Sequence, residues 1–325
     1  MLLTVLLFLL GLILLIAGGE ALVRGAGALA RSAGVPPVAI GLTVVAFGTS
    51  APELIVAVTG ALRGAEGVSF GNVVGANIVN IAFIIGATAL IMPLTVNSIV
   101  VTREIPMAGL AMLATVVLSF DALFGSGPDR LTRGDGFLLL LLFGVFLYYT
   151  VRAMRRRKDD QVVQAAAEFG WQMRVRSLAI PIGTAIFGFV GLAVGGNLLV
   201  DSAVTMATAM GMTPAAVGLT IVAIGTTMPE LTTALLAVRK GETDLAVGNV
   251  VGSNIFNVLV VLGTAAAISP IDVSPRSQTA LLIATGLTLL LLALCTRNKD
   301  SVQRRDGVLL LGVFAAYMSW MFLAA

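Results

Sequence analysis

Gly48-Thr49-Ser50-Ala51-Pro52-Glu53 returns 177 residues later as Gly225-Thr226-Thr227-Met228-Pro229-Glu230. The same shift lays residues 34–86 on 211–263 without a gap, with 24 identities in 53 positions. Gly41-Leu42-Thr43 falls on Gly218-Leu219-Thr220. Gly71-Asn72-Val73-Val74-Gly75-Ala76-Asn77 falls on Gly248-Asn249-Val250-Val251-Gly252-Ser253-Asn254, and Asn80 on Asn257. Upstream, Gly18-Gly19 falls on Gly195-Gly196. A shared apolar bias explains matched Leu and Val. It does not explain Gly, Pro, Glu and Asn in register, so the chain contains an internal repeat.

The surrounding composition sets the solvent. Of 325 residues, 58% are apolar and 11% are charged, against roughly 25% charged in soluble domains. A mean hydropathy of +1.02 cannot be hidden inside one globule of this size. A soluble enzyme and a disordered protein are excluded, and the chain reads as an all-α integral membrane protein. Apolar stretches recur at 2–30, 35–61, 68–93, 104–121, 135–153, 177–206, 213–238, 244–269, 278–295 and 306–324, which predicts ten transmembrane helices. The first resembles a signal-peptide core. It lacks a basic leader and runs past Gly18-Gly19, so it reads as a retained helix.

The repeat shift spans five helices. An odd number makes the two copies cross the membrane in opposite senses. The expected fold is therefore two inverted five-helix repeats: a first half over 1–153 with its repeat at 34–86, and a second over 177–325 with its repeat at 211–263. Inverted repeats with interrupted helices mark secondary transporters that bind their cargo near the midplane. Between the halves, 154–176 is the longest hydrophilic stretch, with Arg155, Arg156, Arg157, Lys158, Arg174 and Arg176. Read as a cytoplasmic linker, it places Arg31, Arg103, Arg239, Lys240, Arg297, Lys299, Arg304 and Arg305 inside with it, and Arg63, Arg130, Arg133 and Arg276 outside. This bias gives a multi-pass cell-membrane protein with both termini outside. The 20 basic and 17 acidic residues sit in short loops, so no nucleic-acid surface is expected.

The chemistry sits in the repeats. Thr49, Ser50 and Glu53, at i, i+1 and i+4, share a helix face, as do Thr226, Thr227 and Glu230. Pro52 and Pro229 are expected to kink their helices and free the carbonyls of Gly48 and Gly225. Asn72, Ala76 and Asn80 share a face of the third helix, and Asn249, Ser253 and Asn257 one of the eighth. Carboxylate, hydroxyl, amide and carbonyl oxygens suit hard cations such as Ca²⁺ and Na⁺. One cysteine, Cys295, and no histidine leave no soft ligand set for copper or thiolate-bound zinc. Neither Glu has a basic residue near it in its own helix, and two convergent carboxylates match one divalent ion. Elsewhere, Glu20 and Arg24 can pair at i, i+4, with an Asp201–Arg24 pair between halves as the alternative. Asp121, Asp129 and Asp135 read as solvated loop residues.

At these residues the chain resembles the sodium/calcium exchanger family of the cation/calcium exchanger superfamily. Its short linker resembles the prokaryotic members. The resemblance implies Ca²⁺ export coupled to Na⁺ entry by alternating access, with no cofactor and no obligate protein partner. The partners implied are Ca²⁺ and Na⁺ as substrates, and membrane lipid. It implies Glu53 and Glu230 as carboxylates shared by Ca²⁺ and Na⁺, Thr49 and Thr226 as oxygen donors to Ca²⁺, and Ser50, Thr227 and Ser253 as donors to Na⁺. Asn80 and Asn257 would complete the site, and helices 1 and 6 would slide to expose it. Two departures stand out. Ala76 replaces a usual Ser opposite Ser253, and Asn257 stands where some relatives carry Asp.

A Ca²⁺/H⁺ antiporter on the same fold is the alternative. A channel, decided by single-channel currents, belongs to another class that inverted halves with kinked helices disfavour. An intramembrane enzyme would use the two Glu as acid and base, yet no nucleophile joins them.

Overall fold

In hydrocarbon every backbone N–H and C=O must be satisfied within its own segment, so an apolar chain of this kind folds as helices. The computed structural model describes residues 2–32, 50–125, 127–156 and 178–323. Its helices are α1 (Leu2–Ser32), α2 (Ala51–Leu62), α3 (Glu66–Ile91), α4 (Val100–Ser119), α5 (Arg133–Arg156), α6 (Ala179–Met210), α7 (Pro214–Thr226), α8 (Met228–Arg239), α9 (Thr243–Ile268), α10 (Pro275–Arg297) and α11 (Arg304–Leu323). Among the described residues, eight helices are long and apolar enough to span a membrane. The bent pair α7–α8 brings the number to nine. α2 is the described part of the second expected span, whose upstream part lies outside the described residues, as does most of the linker at 154–176.

Helix boundaries recur at the sequence shift. α2 begins at Ala51 and α8 at Met228, and they end at Leu62 and Arg239. α3 widens into a π-helical stretch at Val79–Ile85, and α9 does so at Asn257–Leu262. Two-residue strands β1 (Leu94–Thr95) and β3 (Ile271–Asp272) follow α3 and α9 at the same shift.

The helix layers are inside-out relative to a soluble protein. α3 and α9 are central, each 78% buried along its span, whereas α1 and α6 are 28% buried. Leu6, Ile13, Ile186, Phe187 and Phe189 on the outer pair face outward, as lipid-facing residues must. At 31 and 32 residues, α1 and α6 run to roughly 47 Å at 1.5 Å per residue. That exceeds a hydrocarbon core of about 30 Å, so the pair must tilt or project.

Glycines let α1 and α6 meet backbone to backbone. A Cβ on Gly11 would lie 2.9 Å from the Gly195 carbonyl oxygen, one on Gly18 2.9 Å from that of Gly188, and one on Gly25 2.7 Å from that of Pro181. Contacts move seven residues up α1 as they move seven down α6, so the two helices are antiparallel and locked along their length. This is close packing through small residues, the usual adhesive between helices in lipid. The inner helices use the same device. A Cβ on Gly71 of α3 would sit 2.4 Å from the Ala215 carbonyl oxygen of α7.

Short strands staple the loops. β1 pairs antiparallel with β4 (Ser301–Val302), Leu94 opposite Val302. β2 (Arg130–Leu131) pairs with β3, where Arg130 meets Asp272 at 3.4 Å. The loop after α3 therefore shares a membrane face with the loop after α10, and the loop after α4 with the loop after α9. Among the acidic loop residues, Asp135 accepts the Thr132 backbone N–H at 2.8 Å and Asp129 that of Ala122 at 2.8 Å. Asp121 accepts from the Arg130 N–H. They cap and tie loops as well as meeting solvent. Glu20 pairs with Arg24 as the spacing predicts. Asp201 pairs with Arg63, not Arg24. α6 carries Asp201 to the end of α2, while Arg24 is held on its own helix by Glu20.

Candidate cation site

The broken helices position the carboxylates. α7 and α8 are bent by 42° at the break between them, at Thr227. Pro229 and Pro52 occupy the first turns of α8 and α2, where no intrahelical N–H is lost. The 42° bend is the kink expected at Pro229, and Pro229 opens the segment that follows it; the chain before Ser50 lies outside the described residues. Glu53 and Glu230 also fall in those first turns, so the positive end of each helix dipole faces its carboxylate. Both are fully buried. Among the described residues no three acidic or metal-ligating side chains converge, so these two set the site's charge.

The π-helical stretches position the amides. Asn80 opens one just after its start, and Asn257 begins the other. Extra residues per turn rotate the following side chains relative to an α-helix and commonly mark functional sites. Asn77 lies just before the first stretch and, three residues from Asn80, shares with it the face that meets α9. Asn80 donates to the Asn254 amide oxygen at 2.8 Å, and Asn257 to the Asn77 amide oxygen at 3.3 Å. Asn77 and Asn254 in turn donate to each other's backbone carbonyls, both at 3.4 Å. This reciprocal lattice uses the amide hydrogens of Asn80 and Asn257 and leaves their carbonyl oxygens without a donor.

Both carboxylate oxygens of Glu53 also lack a hydrogen-bond donor. Such buried, unsatisfied acceptors cost about 1–3 kcal/mol each, more when charged. The site is thus rich in oxygen lone pairs and poor in donors, which is what a dehydrated hard cation needs.

The hydroxyls divide unevenly. Ser50 stands 3.4 Å from Glu230 Oε1 and 3.4 Å from Ser253 Oγ, and Ser253 stands 3.3 Å from the same Glu230 oxygen. Thr226 donates to the Asn72 amide oxygen at 2.9 Å, and Asn72 donates to the Glu53 backbone carbonyl at 3.4 Å. Thr227 turns its hydroxyl onto the Ala223 carbonyl of its own helix at 2.9 Å. Thr49 lies outside the described residues.

The structure thus groups Ser50, Glu230 and Ser253 directly, ties Thr226 to the Glu53 backbone through Asn72, and pairs Asn80 and Asn257 with Asn254 and Asn77, all of them buried. Asn77 and Asn254 are residues that sequence reasoning passed over as ligand-positioning groups, although both are identical between the repeats. The i, i+4 row Asn72, Ala76 and Asn80 passes Asn77 by, although Asn77 shares a helix face with Asn80 at i, i+3. Replacing Asn254 with Leu removes the acceptor that orients Asn80. We expect at least a tenfold loss of divalent-cation affinity with both carboxylates in place, measured by calorimetry on purified protein.

The model of the sodium/calcium exchanger protein family matches residues 3–152 and 180–323. The chain is similar to the inner membrane protein YrbG of Escherichia coli, 36% identical over 85% of this chain and 83% of that one. It is 30% identical to the sodium/calcium exchanger MaX1 of Methanosarcina acetivorans, over 85% and 86% of the two chains. A structure of the sodium-calcium exchanger NCX_Mj soaked with Na⁺ and Sr²⁺ superposes with a TM-score of 0.62 at 29% identity, covering 98% of each chain. A helical membrane chain with a buried two-carboxylate oxygen site, matched over nearly its whole length, belongs to the sodium/calcium exchanger family of membrane cation antiporters.

Proposed function

We propose that the protein exchanges Ca²⁺ for Na⁺ by alternating access, with both ions competing for the site between α2, α3, α8 and α9. The observation that carries this reading is the set of buried oxygens without donors: both of Glu53 and the amide oxygens of Asn80 and Asn257. A divalent ion bound among them is neutralised by Glu53 and Glu230, while the Asn lattice supplies neutral oxygens in fixed directions. Thr226 and Thr49 add hydroxyl oxygens to Ca²⁺, Ser50 and Ser253 serve Na⁺, and Thr227 joins them only through the lone pairs that its bond to the Ala223 carbonyl leaves free. Na⁺ binding to the same carboxylates then expels Ca²⁺. The glycine-locked pair α1–α6, the least buried of the long helices together with α5 and α11, is the element that moves to open each side in turn. The two halves, 1–153 and 177–325, cross the membrane in opposite senses.

The flux experiment uses the intact chain in proteoliposomes. An imposed Na⁺ gradient drives Ca²⁺ uptake, and a pH gradient without Na⁺ does not. Uptake driven by pH alone would turn the reading to Ca²⁺/H⁺ exchange. The central set of two Glu and two Asn carries only two negative charges, and Asn257 supplies an oxygen without the third. Na⁺-driven flux is therefore expected to stay within twofold when choline replaces K⁺ on both sides. A large loss would refute that.

The stapled loops support one orientation. The face carrying β1–β4 holds Arg297, Lys299, Arg304 and Arg305 with Asp300 and Asp306, while the β2–β3 face holds Arg130, Arg133 and Arg276 with Asp129, Asp135 and Asp272. The more basic face is cytoplasmic by the positive-inside rule, which puts both termini outside and the linker inside the cell. In a Cys295→Ala background, Lys299→Cys should react only from the cytoplasmic side and Arg276→Cys only from outside. Labelling of both from one side would overturn this.

A further inference from the structure

A donor from α11 meets a carbonyl of the broken helix α7. In a regular α-helix the Ala223 N–H would bond the Leu219 carbonyl, four residues back. At the end of the π-helical stretch Gly218–Val222 it bonds the Gly218 and Thr220 carbonyls instead. The Leu219 carbonyl that Ala223 passes over accepts the Tyr317 hydroxyl of α11 at 3.0 Å. Both residues are buried. α3 closes on the same residue: a Cβ on Gly71 would lie 2.7 Å from the Leu219 nitrogen, and one on Gly75 2.6 Å from its carbonyl oxygen. Those glycines bring contact but no side-chain donor. An unpaired buried carbonyl is costly, and the tyrosine supplies the partner.

The other half lacks this donor. A Cβ on Gly307 of α11 would lie 2.7 Å from the Gly86 carbonyl oxygen, and one on Gly136 of α5 2.6 Å from that of Gly263. Gly86 and Gly263 are related by the repeat shift, so α5 and α11 hold related places. Ten residues beyond each glycine stand Phe146 and Tyr317. A ring alone would serve packing in both halves. The hydroxyl is added only where it reaches α7.

The register of that stretch governs the turn beyond it. Thr226 ends α7 and donates to the Asn72 amide oxygen at 2.9 Å, and Asn72 donates to the Glu53 backbone carbonyl. A π turn holds one residue more than an α turn, so its loss rotates the side chains beyond by about 100°. That rotation would take Thr226 off Asn72.

We propose that Tyr317 is a positioning residue of the cation site: its hydroxyl holds α7 in the π-helical register that sets Thr226 on Asn72. This rests on the exchange reading above and deepens it. Tyr317 acts through the Leu219 carbonyl, while Thr226 faces the ion.

Tyr317→Phe keeps the ring and removes the donor, so the packing of α11 is retained. In the purified full chain without added cations, deuterium uptake by residues 214–226 should quicken by about threefold or more, the scale of one lost hydrogen bond, and uptake by residues 105–119 of α4 should not change. Calorimetry should show Ca²⁺ affinity about three- to tenfold lower. In a Thr226→Val background the same substitution should change affinity by less than about 1.5-fold, because no hydroxyl is left to position. In a Thr49→Val background, on the other repeat, it should keep its full effect. Unchanged uptake at 214–226 overturns the proposal, as do equal affinity losses with and without the Thr226 hydroxyl. Where Ca²⁺ binding is too weak to compare, uptake at 214–226 decides alone. A wild-type chain that binds no Ca²⁺ refutes the exchange reading, and quickened uptake in Tyr317→Phe would still uphold the hold of Tyr317 on α7.

Discussion

Glu53→Gln and Glu230→Gln should each abolish Ca²⁺ exchange while leaving a folded protein. Each removes one of the two charges that set the site. At about 4 Å and an effective dielectric of 20, one pair of unit charges interacts by about 4 kcal/mol, and a divalent ion doubles that. Screening and relaxation reduce it, yet a hundredfold loss of Ca²⁺ affinity needs only about 2.7 kcal/mol. The fold should survive because Gln has nearly the same shape and leaves one buried ionisable group fewer. Two measurements separate the effects. Ca²⁺ should raise the melting temperature of the wild type, as any ligand of the native state does, and this rise should vanish in both variants. Without Ca²⁺ the variants should melt no lower than the wild type. Near wild-type Ca²⁺ flux in either variant would refute the site assignment.

Gly188→Leu should be the most damaging substitution away from the site. A Cβ there would stand 2.3 Å from the Leu22 backbone nitrogen and 2.7 Å from the Gly18 carbonyl oxygen. Both are backbone atoms of a helix clamped along its length, so neither can yield cheaply. Overpacking costs about 1–3 kcal/mol where side chains can move, and here the whole of α1 would have to separate from α6. Loss of monodisperse protein on size exclusion is expected, with loss of transport in whatever remains. Gly183→Leu on the same helix is the control, since nothing among the described residues lies within 4 Å of a Cβ there. Equal behaviour of the two variants would show that the α1–α6 contact is not close-packed.

The membrane class, the helical content and the chemistry of the site were legible in residues alone. Bilayer hydrocarbon admits few backbone solutions, so apolar composition leads directly to helices. Matched Gly, Pro, Glu and Asn across 177 residues picked out segments whose Glu and Asn side chains the structure buries, because a lipid-facing helix has no use for such residues in register. The Glu20–Arg24 pair followed from helix periodicity. That reading passed over Asn77 and Asn254, which share a helix face with Asn80 and Asn257 at i, i+3 but whose partners stand on the other helix. It also failed at Asp201, whose partner Arg63 is distant in sequence and was brought close by packing of α6 on α2. The sequence could state that Ala76 breaks the repeat. It could not state that Ser50 crosses to the Glu230 side or that Thr227 turns away onto its own helix. Which oxygens exist in the membrane was determined by the sequence, through the cost of placing any polar group there without a purpose. Which of them meet, and in what geometry, was decided by tertiary structure. Coordination depends on distances of a few tenths of an ångström between segments far apart in the chain, and only packed helices set those.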